Sequence, residues 1–171
     1  MSAKEISWIT AKDIKAKIVE LLRTKYPKEE YHIYGKPVSE GFLIPCFFVD
    51  VRLGDRSDAT ANIVNKEYRC HILYFSEDMK SATAEEDQFD KVEEIGDLLC
   101  CTDDRNRKRK MCIECNGRYI QVKEYSSDYT GSEVNILTID FTLQFYDWRQ
   151  EAVPEPLMEE FSFNELLEEE E

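Results

Sequence analysis

The sequence predicts an α+β fold in which a mostly antiparallel sheet of about five to six strands carries two helices on one face. Three observations lead to this class. Two segments repeat apolar residues at helical spacing, several others alternate apolar and polar residues, and the order along the chain is helix, strands, helix, strands. Alternation of this kind buries one face of a sheet and leaves the other wet, which is typical of antiparallel strands.

The composition is that of a folded and strongly acidic protein. The chain has 171 residues, of which 42% are hydrophobic and 34% are charged, and its formal net charge is −14. We expect a single domain at residues 1–150 and a flexible, acidic, proline-containing tail at residues 151–171. A charge of this sign argues against nucleic acid as a stable ligand, because phosphate neutralisation dominates such binding. The sequence has no apolar run of membrane-spanning length and no signal-peptide pattern, so we expect no membrane association.

The first helix is predicted at residues 11–26. Thr10 and Asp13 have the spacing of a capping box, and Pro27 ends the helical pattern. The apolar stripe that would face the sheet consists of Ile14, Ile18, Leu21 and Leu22.

The second helix is predicted to begin at Thr83, with Glu86 at the capping-box position, and to fade near residues 100–102. Gly96 lies inside it and weakens the helix by about 1 kcal/mol relative to alanine. Close packing against a neighbouring element would explain that glycine. The predicted buried stripe consists of Phe89, Val92, Ile95 and Leu99.

The strands are predicted from alternating patterns and from turn residues. Residues 54–62 are polar and are interpreted as a hairpin loop that is long enough to carry a contact. The pair Asn116-Gly117 is a strong hairpin signal between two such patterns. The predicted strands cover residues 31–34, 46–53, 67–75, 111–116, 118–125 and 133–148.

The most informative segment is residues 41–48, which read Gly-Phe-Leu-Ile-Pro-Cys-Phe-Phe. Pro45 has no backbone N–H and therefore suits the first position of a strand or a sheet edge. This signature of glycine, aromatic residue, two residues, proline and aromatic strand resembles that of a family of phage tail terminator proteins. Members of that family occur in long-tailed phages and in phage-like prophage elements.

The resemblance covers residues 9–148 and extends to the element order, the place of the signature loop (residues 41–45) after the first helix, and the long aromatic last strand. It implies a tail-terminator-like fold and a structural protein that is not an enzyme. Such proteins form a ring, usually of six subunits, on the end of the tail tube, stop its polymerisation and provide the interface for head joining.

The implied partners are further copies of the chain, the tail tube protein and a head-completion or connector protein. DNA would pass through the ring without stable binding. The implied location is the bacterial host cytoplasm during assembly and then the virion tail. The resemblance implies no cofactor, no metal and no catalytic residue.

Three parts of the domain are candidates for these contacts: the signature loop, the loop at residues 54–62, and a basic island at residues 105–110 that is otherwise interpreted as a solvated loop. The acidic tail is either a disordered solubilising segment or a short recognition element with aromatic anchors. The candidate interface residues are Gly41, Phe42, Pro45, Arg105, Arg107, Lys108, Arg109, Lys110, Phe161 and Phe163.

The sequence offers little for catalysis. His32 and His71 lie in predicted strands away from any nucleophile motif, and the six glycines are too dispersed for a phosphate-binding loop. A metal-dependent nuclease would need Asp50 and a second carboxylate from a later strand to hold its metal ion. The residue at the place of that second ligand is Gln121, which argues against such a nuclease.

The six cysteines are expected to be reduced thiols. Cys112 and Cys115 have the spacing of a zinc knuckle, but strand positions three apart point to opposite faces of a sheet. Two other functions stay open from the sequence: a different structural subunit of a virion or contractile machine, and a soluble adaptor that acts through its acidic tail.

Overall fold

The structure is a computed structural model that describes residues 8–35, 40–77, 82–102, 108–130 and 136–149. No helix in these ranges is long and apolar enough to cross a membrane. The predicted tail at residues 151–171 lies outside them. Two helices and seven strands occur within the described ranges: α1 (Ala11–Lys25), β1 (His32–Tyr34), β2 (Cys46–Asp58), β3 (Ile63–Phe75), α2 (Ala82–Leu98), β4 (Cys100–Thr102), β5 (Lys108–Cys115), β6 (Arg118–Thr130) and β7 (Ile136–Trp148).

The strands form one sheet in the order β1-β2-β3-β7-β6-β5-β4. Neighbouring strands are antiparallel except β1, which pairs in parallel with the start of β2. The α+β class is confirmed, whereas the prediction of five to six mostly antiparallel strands is corrected to a mixed sheet of seven. The sequence did not predict β4, because residues 100–102 were assigned to the end of the second helix.

The hairpin between β2 and β3 corrects a second prediction. Residues 54–62 were predicted as a loop, but β2 continues to Asp58 and β3 begins at Ile63, so the turn is only residues 59–62. A bulge between Leu53 and Asp55 interrupts the pairing at Gly54. Every residue from 52 to 62 is exposed, and a strand without a buried position shows no apolar alternation in its sequence.

Helix α1 begins with the predicted capping box. The Thr10 hydroxyl accepts a hydrogen bond from the Asp13 backbone N–H, and the Asp13 carboxylate accepts one from the Thr10 backbone N–H at 2.9 Å. Both helices pack on the same face of the sheet and share one core with it. The core includes Ile14, Ile18 and Leu22 of α1, Ile95 of α2, and Phe47, Ile72, Ile120, Ile139 and Phe141 of the strands.

The buried stripe predicted for the second helix is confirmed except at one position: Ile95 and Leu99 are buried and Val92 packs against the core. Gln88 and Lys91 are buried together with Ile95, whereas Phe89 is 54% exposed. The predicted core position of Phe89 is therefore wrong. The physical reason is that a lysine occupies a core position, so that the buried stripe follows residues 88, 91 and 95 and a purely apolar pattern is misleading.

The buried Lys91 is satisfied by two carboxylates and a cluster of tyrosine rings. Its ammonium lies 3.1 Å from Asp87 and 3.5 Å from Glu94, and its side chain is only 8% exposed. Tyr26 donates a hydrogen bond to Glu94 at 2.7 Å, and Tyr74 donates one to Asp87 at 2.6 Å. The ammonium also lies 5.4 to 5.8 Å from the centroids of three rings, those of Tyr26, Tyr31 and Tyr74. This network joins α2 to α1 and to the sheet.

A second buried ionic centre closes the opposite end of the sheet. The Asp147 side chain is fully buried and accepts hydrogen bonds from Lys66 at 2.8 Å and from Arg118 at 2.9 Å. It also accepts the backbone N–H of Ile9 at 3.4 Å. Lys66 in turn donates to the carbonyl oxygen of Ile9 at 3.3 Å. Asp147 therefore ties together β3, β6, β7 and the segment that leads into α1.

Gly96 is expected to tolerate a methyl group. A Cβ at this position would lie 3.5 Å from the Tyr125 hydroxyl oxygen and 3.6 Å from its ring, which are ordinary contacts. Because alanine is the better helix former, Gly96→Ala should raise the free energy of unfolding by about 0.5–1 kcal/mol. Urea denaturation measures this change. A loss of stability would instead show that close packing against Tyr125 requires the glycine.

Candidate interaction surfaces

The face of the sheet opposite the helices, called the open face below, carries a band of charged side chains across its middle. His71 of β3 contacts Asp140 of β7, and Asp50 of β2 is the register partner of His71 on the other side. Arg52 pairs with Asp50 at 2.6 Å. Each of these side chains has a polar partner, and the band is accessible to solvent, so it forms a hydrophilic surface between two apolar ends.

The signature loop is held at one end of the open face by aromatic packing. The Phe42 ring lies 5.4 Å from that of Phe48 and 5.0 Å from that of Phe75. Tyr34 stacks on Phe48 at 5.2 Å, and its hydroxyl accepts the backbone N–H of Leu43 at 3.1 Å. Gly41 has a φ of +81°, a conformation that glycine adopts without strain. The loop is thus fixed in position by its neighbours on β1, β2 and β3.

This fixed loop displays the two residues between the aromatic residue and the proline. Leu43 is 61% exposed and Ile44 is 39% exposed, whereas Phe42 and Pro45 are partly covered. Gly41, Phe42 and Pro45 are the residues of this loop that the sequence predicts as contact residues. The contact role of these three residues stays a prediction; in the structure Phe42 packs against two strands, and the most exposed apolar side chains of the loop are those of Leu43 and Ile44.

A second apolar surface lies at the other end of the open face, and its residues are not among the contact residues predicted from the sequence. Tyr119, Tyr146 and Trp148 are each at least half exposed there. A signal was present, because residues 146 and 148 continue the alternation that places Thr142 and Gln144 on the polar face. Tyr146 and Trp148 therefore lie on the solvent-exposed face of β7 and not in the core.

A third apolar surface combines α2 with the end of β6. Phe89 is 54% exposed and Tyr129 is 41% exposed, and the centroids of their rings lie 6.3 Å apart in an edge-to-face arrangement. We call these two residues the Phe89 patch. The Phe89 patch was not predicted, because the helical spacing of the sequence assigns Phe89 to the core.

The other predicted contact residues fall largely outside the described ranges. Of the basic island, the backbone of Lys108, Arg109 and Lys110 begins β5, and Lys110 is exposed. The structure does not describe Arg105 or Arg107. Phe161 and Phe163 of the tail also lie outside the described residues, so the roles suggested for all of these side chains stay predictions.

The described residues show little that could perform chemistry. They contain no group of three or more His, Cys, Asp or Glu side chains placed to hold a metal ion. A polar cavity of about 390 Å³ lies between α1 and the β5–β6 turn, but its carboxylates include Asp13 of the helix cap and Glu20, which pairs with Lys17.

Two of the buried cysteines are held as neutral thiols. Burial raises the pKa of Cys46 to about 11 and that of Cys70 to about 12, so neither is a thiolate near neutral pH. Cys101 and Cys112 form a disulfide, which corrects the expectation that all six thiols are reduced. The unpredicted strand β4 brings these residues together, with 5.4 Å between their Cα atoms, a separation that a disulfide spans.

Of the comparisons with known proteins, the one with family models is informative. A family model described as "Phage tail terminator protein" matches residues 13–155, which is most of the chain. One solved structure, which carries no functional name, is 10% identical with a TM-score of 0.38, and the alignment covers 82% of this chain and 94% of that chain. This likeness is too low to support an inference. No functionally curated protein matches the sequence.

Proposed function

The chain belongs to the phage tail terminator family, and on that premise we propose that it caps the tail tube of a phage as a ring of six identical subunits. The ring stops polymerisation of the tube and offers its outer surface to the head-completion or connector protein. A heterologous contact that closes on itself has no free end, so it can cap a polymer whose own subunits stack without limit. Family membership makes the role of the chain structural.

The observation that supports a contact role most directly is the signature loop. A loop that is pinned by three aromatic rings and still exposes Leu43 and Ile44 has its apolar side chains ordered before any partner arrives. Ordering beforehand reduces the entropy lost on binding. Exposed apolar side chains on a rigid support are characteristic of protein interaction sites.

The strong negative charge suits a passage for DNA. We propose that carboxylates outnumber cations along the lumen of the ring, which gives the phosphates of the passing DNA no attractive sites. A lumen dominated by lysine and arginine in the assembled tail would contradict this part of the proposal.

The location of the protein in the particle separates a terminator from other virion subunits. Antibodies labelled with gold should mark a single site per tail, at the junction of tail and head. Labelling along the whole tube, or at the end that meets the host, would contradict the proposal and favour a different structural subunit.

The basic island is proposed to grip an acidic surface of the tube, and a charge reversal tests this role. Arg107→Glu together with Arg109→Glu should abolish capping, because two attractive contacts become repulsive, while the circular dichroism spectrum of the monomer stays unchanged. Lys12→Glu with Lys28→Glu is the matched control, since it changes the net charge equally at two exposed helix-proximal sites. Equal loss of capping in both variants would mean that only net charge matters. Normal capping by the Arg107 and Arg109 variant would exclude this role.

The acidic tail is proposed to dock on a ring neighbour through Phe161 and Phe163. Removal of residues 151–171 should then weaken capping without altering the fold of the domain. Unchanged capping would leave the tail with a solubilising role.

A further inference from the structure

A line of three cations crosses the open face at one register. Arg52 of β2 is the register partner of Arg69 of β3. Thr142 of β7 continues the same line and pairs with Lys123 of β6 on its other side. We call Arg52, Arg69 and Lys123 the cationic row. Like charges directly opposite one another on neighbouring strands are destabilising, and an anion that lies against them relieves the repulsion.

The two arginines of the cationic row have donors left for a further anion. Arg52 is bonded to Asp50 at 2.6 Å, and its side chain is 75% exposed. Arg69 lies 3.7 Å from Glu67, which is longer than a good hydrogen bond, and its side chain is 62% exposed. A guanidinium carries five N–H donors, so one carboxylate leaves most of them in solvent. The row therefore has room for the carboxylates of another segment.

The apolar surface on the same face lies close to the cationic row. It consists of Tyr119, Tyr146 and Trp148, which are each at least half exposed, and we call it the aromatic end. Tyr146 and Thr142 are four residues apart on β7, which corresponds to about 13 Å along the strand. A segment that lies on this face along β7 therefore meets aromatic rings first and cations second.

The described part of the chain ends beside the aromatic end. The backbone N–H of Arg149 donates to the carbonyl oxygen of Asn62 at 2.7 Å, and its guanidinium pairs with Asp58. These contacts fix the place at which the acidic tail begins, next to Trp148. Phe161 is twelve residues further along, and a chain of that length spans up to about 40 Å. The tail is therefore long enough to return across the open face.

The acidic tail carries the complementary groups in the matching order. Residues 151–171 contain nine glutamates and no lysine or arginine, so they supply nine of the fourteen net negative charges of the chain. Phe161 and Phe163 come first, and the run of glutamates at 168–171 follows. From Phe163 to residue 168 an extended chain measures about 16 Å, close to the separation of the aromatic end from the cationic row.

We propose that the acidic tail folds back over the open face of its own subunit, with Phe161 and Phe163 on the aromatic end and the glutamates at 168–171 on the cationic row. The contact belongs to the free subunit and does not depend on the proposed ring. Because the tail is tethered beside its site, its effective concentration is high and a modest affinity suffices. In a ring, exchange of tails between neighbours makes the same contact across the subunit boundary, which is the docking proposed above.

Cross-linking in the full-length protein tests the contact directly. A photoreactive phenylalanine analogue at position 161 should cross-link within one chain to residues 117–121 or 144–148. A mixture of isotope-labelled and unlabelled chains distinguishes this product from a link between two copies. The same analogue at position 89, on the helix side of the sheet, is the control and should not reach the tail. Links from position 161 to the helices, to the signature loop, only to a second copy or to nothing overturn the inference.

Quenching of Trp148 fluorescence by acrylamide measures the cover in solution. A Trp8→Phe background leaves Trp148 as the one tryptophan, and acrylamide is neutral, so the charge of a variant does not affect its approach. Arg52→Glu together with Arg69→Glu should raise the quenching constant about twofold, because repulsion replaces attraction and the tail uncovers a side chain that is 50% exposed in the domain.

Two further variants separate docking from net charge and from folding. Lys12→Glu with Lys28→Glu changes the net charge equally at exposed sites away from the open face and should leave quenching unchanged. Glu170→Lys with Glu171→Lys should raise quenching by itself, and it should restore the shielding when combined with the two arginine variants, with an unchanged circular dichroism spectrum throughout. Equal quenching in all variants, or no recovery in the combined one, would overturn the inference. The ring proposal is judged separately, because it fails only if deletion of the gene leaves tail length unchanged.

Discussion

Replacing Asp147 with alanine is expected to lower the free energy of unfolding by about 3–5 kcal/mol. The carboxylate is fully buried, and its removal leaves Lys66, whose side chain is 13% exposed, and the partly exposed Arg118 without this acceptor. The backbone N–H of Ile9 loses its acceptor as well, which weakens the attachment of the segment before α1 to the sheet. Urea denaturation followed by circular dichroism measures the change.

Asp58 provides the matched control for this substitution. Asp58 pairs with Arg149 in an exposed position, and exposed ion pairs contribute little to stability. Asp58→Ala should change the free energy of unfolding by less than about 1 kcal/mol. Similar losses in the Asp147 and Asp58 variants would show that burial of the ionic centre has no special role.

The same site gives stability a predictable dependence on pH. Burial by itself raises the pKa of Asp147, but the hydrogen bonds from Lys66 and Arg118 outweigh it and hold the pKa below the ordinary value of 3.8. The charged carboxylate therefore contributes stability that is fully present above pH 3.8 and is lost as the pH falls through the lower folded value. The difference in stability between the wild type and Asp147→Asn should shrink over that acidic range.

Replacing Lys91 with methionine is the second substitution with a large expected effect. Methionine keeps most of the apolar stem but leaves Asp87 without its cation, whereas Glu94 keeps its ion pair with Lys25. The substitution also removes the contact with three tyrosine rings. We expect a loss of about 2–3 kcal/mol, somewhat less than for a fully buried pair, because both carboxylates are partly exposed. Thermal and urea denaturation measure it.

Lys17→Met is the control for the lysine network. Lys17 pairs with Glu20 one turn along α1, and a surface pair of this spacing contributes about 0.2–0.5 kcal/mol. If Lys91→Met and Lys17→Met cost the same, α2 is held by its apolar contacts alone, and the ionic network does not determine how the helix is turned.

The sequence predicted those elements whose residues have one clear periodicity. Helix α1 has both its capping box and its apolar stripe in the sequence, and β7 alternates without a break, so both were located to within a few residues. The β2–β3 extension was missed because all its residues from 52 to 62 are exposed. The parallel pairing of β1 depends on where the chain returns after residue 35, which local patterns do not specify.

The candidate surfaces divide in a similar way. The signature loop was located from its proline, glycine and aromatic residues, but which side chains it displays depends on the packing of Phe42 against two strands. The Phe89 patch was missed because a buried lysine shifts the inward face of α2. A pattern that treats every lysine as exposed places Phe89 in the core, although it locates Ile95 and Leu99 correctly.

Deletion of the gene from its phage, followed by electron microscopy of the lysate, tests the central claim most directly. A tail terminator that stops the tube and joins the head predicts tubes of uncontrolled length with heads left unjoined, and recovery when the intact gene is supplied in trans. Complete particles with tails of normal length in the deletion would contradict the account.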